Sequence, residues 1–427
     1  MNRRRKRPNW FGIILLSLLV LGGAYVDRFI VPNQPQYGVP SPTPTRSPES
    51  FITEAQDYYK QGKLIPAIAS YKQAITSNPS DPAVYVALAR VQVFAGQSKD
   101  AQSSAESALL LNNNNSMAHA VLAWSLDFQE QYTEAESSIE RALTLDPNNA
   151  IAHAYHVEIL VDQFNNDIGP VDAIQQAIDE SNVALSLDPN ALETHRARGY
   201  VLENTGNYQE AIQEYEEALK INGKIADLQL SIGRNYRFLG FYDKAITAFT
   251  EANALNPEDP TPDYYLSRTY ATIGKYPQAM QHAESAVGNN PADTNLHGNL
   301  GVMYYRNAYF DEAVTELGYV VNGGFTKDGV QLGQINLAPN LPRIAEYYFT
   351  YGLTLWKLNR CGEALPIAQT ILSRIPDDTL AVEQANTIIT RCQQNLVQTP
   401  VPLPTSSRPA PVSPTGTVST EVSTPTP

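Results

Sequence analysis

Six histidines and two cysteines are the side chains in this sequence best suited to hold a metal or form a covalent intermediate. His119, His153, His195 and His297 occupy one place in a recurring block, early in a helical stretch. Equivalent places in stacked helices stand on the order of 10 Å apart, whereas zinc takes its ligands at about 2 Å. The four therefore share no ion. His153 and His156 lie three apart on one helical face, but no third ligand accompanies them. Packed histidines at a repeat position, and no metal site, are the expectation. The signatures of other chemistry are missing too: no GxxxxGK followed by Ser or Thr, no HExxH, no GxSxG, and no GxGxxG after a strand. Gly323-Gly324 lacks the Lys that a phosphate loop needs. No catalytic residue and no cofactor is expected, and the chain reads as a non-enzyme.

The net charge of -14 hides an asymmetry, because the first fifty residues hold seven Lys and Arg against Asp27 and Glu49. An acidic body repels phosphate backbones, so nucleic acid is not an expected partner. Residues 3–7 read RRRKR, and Trp10–Val26 follows without a charge. A basic cluster stays cytoplasmic and the apolar run after it crosses the membrane. The expectation is a basic cytoplasmic segment over 1–9 and a transmembrane helix over 10–31. The body would then lie outside a cell membrane that it spans once. A cleaved signal peptide, with Gly22-Gly23-Ala24 as its cleavage site, is the rival reading. Residues 32–50 and 399–427 are Pro/Ser/Thr tracts that cannot bury enough surface to fold. They read as a linker and a disordered tail.

Between them the sequence repeats. Ala67, Ala101, Ala135, Ala177, Ala211, Ala245, Ala279 and Ala313 follow one another at 34 residues, except for one step of 42. A second small residue recurs seven further on, from Ala74 to Ala286, and a helix-stopping Pro such as Pro79, Pro147 or Pro257 five beyond that. Each block divides into two helices. In the sixth, Ile232, Gly233 and Tyr236 mark the first, Gly240 the turn, and Ala245, Phe249 and Ala252 the second. Small residues let helices approach closely. No pair can bury its faces alone, so the pairs must stack.

On these residues the chain resembles the tetratricopeptide-repeat proteins, of the membrane-anchored, bacterial type. The resemblance implies an all-α, right-handed superhelical solenoid of about nine helix-turn-helix repeats with a C-terminal capping helix. The units begin near Pro48, Pro82, Ser116, Ala150, Leu192, Ala226, Pro260, Thr294 and Ala345, and the solenoid occupies about 51–398. Insertions fall near 162–171 and 321–342, the second carrying a Lys-Asp-Gly turn suited to a hairpin. A last helix, about Asp378–Gln394, would cap the open end. In this fold successive helices run antiparallel, so Cys361, opening one, and Cys392, near the end of the next, should be neighbours. A disulfide pinning the cap is the expectation for an exported domain.

The family commonly binds extended peptides on the concave wall made by the first helices. Six of twelve arginines in the repeat region fall on that face, beside aromatic residues. Arg196, Tyr200, Arg234, Arg237, Phe238, Arg268, Tyr305, Arg306 and Trp356 are therefore the candidate groove for a protein or peptide. Its guest would be an acidic segment or a C-terminal carboxylate, since guanidinium binds carboxylate bidentately. The competing reading is that these arginines only balance neighbouring Asp and Glu. Replacing Arg234 and Arg268 with Ala should, on the groove reading, weaken capture and leave stability nearly unchanged. The functional expectation is a membrane-tethered, extracytoplasmic scaffold. A binder of wall polysaccharide or an accessory subunit of a membrane-bound enzyme is the alternative.

Overall fold

The computed structural model describes residues 10–25, 28 and 46–398. The basic cluster at 3–7, residues 32–45 of the linker and the tail at 399–427 lie outside the described residues. Helix α1 covers Trp10–Tyr25, sixteen residues. At 1.5 Å per residue that is about 24 Å, short of a hydrocarbon core near 30 Å. Among the described residues no helix is long and apolar enough to cross a membrane. This overturns the expected transmembrane helix, and the single-pass membrane placement that rested on it.

Nine helix pairs follow. They are α2 (Pro48–Lys60) with α3 (Leu64–Ser77), α4 (Pro82–Phe94) with α5 (Ser98–Leu111), and α6 (Ser116–Asp127) with α7 (Tyr132–Leu145). Next come α8 (Ala150–Asn165) with α9 (Ala173–Leu187), α10 (Leu192–Asn204) with α11 (Tyr208–Ile221), and α12 (Ala226–Phe238) with α13 (Tyr242–Leu255). The last three are α14 (Pro260–Thr272) with α15 (Tyr276–Asn289), α16 (Thr294–Arg306) with α17 (Phe310–Asn322), and α18 (Pro342–Lys357) with α19 (Cys361–Arg374). Helix α20 (Thr379–Gln398) packs on the end. The ninth pair opens at Pro342 rather than at Ala345, because Pro is accommodated in the first helical turn.

Local chemistry sets these boundaries. Asp81, Asn115, Asn149, Asp259 and Asp293 each accept a backbone N–H of the helix they precede. The turn inside every pair holds one residue in the left-handed region, with φ from 56° at Asp167 to 80° at Gly206. Glycine fills five of these nine places, since it adopts that conformation without steric cost. The eight alanines spaced along the repeat are all fully buried at helix crossings. Where the neighbour is larger, the crossing helix gives up its side chain altogether. A Cβ on Gly233 would lie 2.5 Å from the ring of Phe249.

The first insertion lengthens α8 and adds a loop before α9. The second forms a short hairpin, β1 (Gly324–Phe325) with β2 (Gln331–Leu332), turning at Gly329 with φ 82°. Its return segment packs on the solenoid through Ile335 N–H, which donates to Val320 O at 2.9 Å. Cys361 and Cys392 are joined, with their Cα atoms 5.5 Å apart, tying α19 to α20.

The superhelix also closes on itself. Asn222, after α11, donates to the carbonyl of Tyr59 in α2 at 3.3 Å, across 163 residues of sequence. Gly62, φ 74°, sits so near Lys224 that a Cβ there would meet its carbonyl at 2.5 Å. Arg90 of α4 pairs with buried Glu193 of α10. Phe94, at the end of α4, packs against the cluster formed by Leu192, Ile225 and Leu228.

Candidate functional site

Closure divides the concave face in two. From the first units through the start of α12 the wall is filled by the protein's own side chains. Trp124 lies stacked on Tyr155 at 4.4 Å and donates its Nε1–H to Glu158 at 2.8 Å. Arg196 covers the Trp124 ring at 5.2 Å and pairs with Glu158 and, at 2.9 Å, with Asp227. Burial drives the Glu158 carboxyl upward against the pull of Arg196. Asp227, in spite of burial, is held below the usual carboxylate range by Arg196 and Arg234. Tyr200 donates to Asp162, whose carboxyl and that of Asp127 are both raised by burial. Arg234 holds Glu203 bidentately, at 2.8 and 3.2 Å, and Tyr215 OH adds a third bond at 3.0 Å. Arg196, Tyr200 and Arg234 are thus committed within the fold.

Three other candidates are placed differently. Among the described residues Arg237, Arg268 and Arg306 make no ion pair within 4 Å. Arg268 bonds only the hydroxyl of Tyr264, at 2.8 Å, with its guanidinium over that ring at 5.5 Å. The Nε of Arg237 is buried without a hydrogen-bond partner, as is that of Arg343. Burial and the charge of Arg268 hold Arg237 below the usual guanidinium range. One carboxylate, Glu346 of α18, faces this group and pairs with Arg343. Burial raises it, while Arg268 and Arg306 oppose the rise. Three guanidiniums, those of Arg268, Arg306 and Arg343, act on this one carboxylate, a local surplus of positive charge in an acidic chain. Tyr305 is half-buried beside Phe310, Phe238 is 58% exposed and stacked on Tyr208 at 4.9 Å, and Trp356 carries Lys357 and Arg391 over its ring at 4.6 and 5.7 Å.

The histidines serve the fold. Nδ1 of His195 meets Glu214 at 2.7 Å and Nε2 meets the Pro189 carbonyl at 2.9 Å. His297 repeats this with Glu316 and Pro291, and His153 with Glu180 and Pro147. A carbonyl and an ionised carboxylate both accept, an arrangement that favours the doubly protonated ring. Each of these pKa values is accordingly raised. Unit seven exchanges the pair: Asp263 holds the histidine's place and His282 the carboxylate's, 2.6 Å apart. That swap was readable nineteen residues along, where every other clamp has its partner or, in unit four, nineteen plus the inserted eight. Among the described residues no group of three or more His, Cys, Asp or Glu is placed to hold a metal.

Four stretches match tetratricopeptide-repeat family models: residues 58–124, 118–149, 192–225 and 230–294. Those four stretches are tetratricopeptide repeats. This fold is typically a non-enzymatic scaffold for protein interaction. No curated protein matches the chain. Among solved structures, a tetratricopeptide repeat protein from Parabacteroides merdae is 16% identical at a TM-score of 0.39, over 60% of this chain and 98% of that one. Pseudomonas aeruginosa PilF is 17% identical at 0.40, over 48% and 90%. PilW, a widely conserved type IV pilus biogenesis factor, is 20% identical at 0.42, over 48% and 91%. At these values none bears on what this chain does.

Proposed function

We propose that this chain is a non-catalytic scaffold that captures an acidic protein segment on the concave strip of units six to nine. One observation carries the reading: among the described residues Arg237, Arg268 and Arg306 form no ion pair within 4 Å, and Arg237 keeps a buried Nε–H without a hydrogen-bond partner. An unpaired buried donor is costly, and guanidinium beside aromatic rings suits carboxylates on an extended chain. The closed first half supplies a rigid base, and the guest uses what closure leaves open.

The test is fluorescence anisotropy of a labelled ten-residue Glu-rich peptide with the full chain, against a Lys-rich peptide of the same length. Arg237→Gln, Arg268→Gln and Arg306→Gln together should weaken the Glu-rich peptide at least tenfold, with helical circular dichroism unchanged. Equal binding by the triple variant, or equal binding of the Lys-rich peptide, would refute the proposal.

A further inference from the structure

Where the closed turn meets unit six it leaves a cleft of about 760 Å³. Its sides come from segments far apart in sequence: Ile65 after the first turn, Phe94 ending α4, Phe128 just after α6, Leu230 on α12 and Leu255 ending α13. The volume lies in the range of ligand clefts. At its lips Ile65 is 57% and Phe128 50% exposed. Single exposed apolar residues are ordinary, but here two from separate units border one cleft. Among its lining residues Lys63, Lys224 and Arg196 balance Asp227, Glu258 and Asp259, so the cleft carries no net charge to read and asks for apolar contact.

The cleft is continuous with the arginine strip through one helix face. Asp227, Leu230, Arg234 and Arg237 are spaced three, four and three apart, which places them on one stripe of α12. Asp227 and Leu230 stand about 15 and 10 Å along the axis from Arg237, at 1.5 Å per residue. An extended chain covers that span in three to five residues, at about 3.3 Å each.

We propose that the guest is read in two parts, a bulky apolar residue in this cleft and an acidic residue at Arg237, separated by three to five residues. The inference rests on the acidic-segment reading above and adds the anchor and its spacing. Closure is what builds the site, because Ile65 and Leu230 belong to units five apart. A free apolar molecule would fill the cleft without needing the strip, so the linkage between the two parts is what the experiment must read.

Labelled peptides carrying a Glu block, with a Leu or Trp set one to eight residues from it, are titrated against the full chain. The expected result is an affinity gain on the order of tenfold for an anchor three to five residues away, little gain at other spacings, and loss of the gain in Ile65→Asp and Phe128→Asp. Both substitutions lie at exposed positions, and circular dichroism checks the fold. An anchor gain that ignores spacing, that persists in both variants, or that is absent would overturn this inference. If Arg237→Gln still weakens the Glu block, the acidic-segment reading survives that failure. If it does not, both fall together.

Discussion

Replacing Arg234 with Ala tests whether the concave arginines of the closed half hold the fold together or wait for a guest. The guanidinium makes two bonds to Glu203, and the two side chains are 20% and 10% exposed. Removing one partner of a buried pair costs about 3–5 kcal/mol, because the remaining charge is left uncompensated. Glu203 keeps the Tyr215 hydroxyl at 3.0 Å, and the arginine is not fully enclosed, so about 2–3 kcal/mol is the expected loss. Glu203→Ala should cost a similar amount. The double variant should be less destabilised than the two losses added, with a coupling energy of about 1–2 kcal/mol. Urea denaturation followed by far-ultraviolet circular dichroism supplies all four corners of the cycle. Arg268→Ala, which breaks only a bond to Tyr264, should fall within about 0.5 kcal/mol of the parent. Strict additivity of Arg234→Ala and Glu203→Ala, or a stability equal to that of Arg268→Ala, would refute the internal role.

Two further outcomes follow from side chains outside the strip. His156 lies between Glu136, at 3.2 Å, and Glu180, at 3.6 Å. Against the effect of burial, those carboxylates push its pKa up to about 9 from 6.5, and Glu180, though burial opposes it, is lowered to about 2 from 4.5. The histidine contribution is complete below pH 6.5 and lost as pH climbs through about 9; the Glu180 contribution is complete above pH 4.5 and lost as pH falls toward 2. The free energy of unfolding should therefore be flat between about pH 4.5 and 6.5 and decline toward pH 9, by something on the order of 3 kcal/mol for this histidine, with the melting temperature falling in step. His156→Asn should flatten the alkaline decline, and an unchanged slope would count against the clamp. The Cys361–Cys392 bond spans 31 residues of sequence, a loop whose opening costs about 3–4 kcal/mol in the chain-entropy account. Reduction should release α20 first, seen as faster amide exchange at Ala381, Ala385 and Ile388 with units two to five unaffected; uniform exchange throughout would argue against a local cap.

The repeat was legible because each unit writes its own boundaries: small residues where helices cross, a left-handed residue at the turn, a capping Asp or Asn before the next start. Five of the nine unit starts carry such a cap, the others follow from the 34-residue step, and the ninth drifts because the insertion before it blurs the register. The disulfide follows from the same antiparallel logic. Closure was not legible. Gly62 looks like Gly96, Gly206 or Gly240 in sequence, yet it alone among them abuts a distant backbone, Lys224 O. The contact depends on a small rotation summed over five units, and no local pattern records that sum. The roles of the arginines were hidden for the same reason. Arg196 and Arg237 share a face on paper, but the partners of Arg196 come from the units on either side of it, while Arg237 meets another arginine. The apolar run at the N-terminus misled because seventeen uncharged residues read as a membrane segment, whereas among the described residues no helix is long and apolar enough to cross a membrane.

Closure also explains why an acidic protein keeps bare arginines in one half only. Where the turn closes, Glu193 is 2% and Arg196 11% exposed in their pairs with Arg90 and Asp227, and a charge so enclosed survives only beside its opposite. Every concave cation there had to find a carboxylate within the chain. Beyond α12, whose Asp227 and Leu230 still border the closed turn, helices α14 and α16 line no part of that cleft, so water remains to solvate a guanidinium and pairing is not forced. Arg237 is the boundary case: it is far enough in to lose solvent at Nε, yet beyond the reach of the carboxylates that satisfy Arg234 one turn earlier on the same helix. A partner supplying a carboxylate there gains most at Arg237 and least at solvated Arg306. Single Gln replacements should therefore weaken the Glu-rich peptide in the order Arg237, Arg268, Arg306, and the reverse order would place the guest on the outer rim instead of against the closed turn.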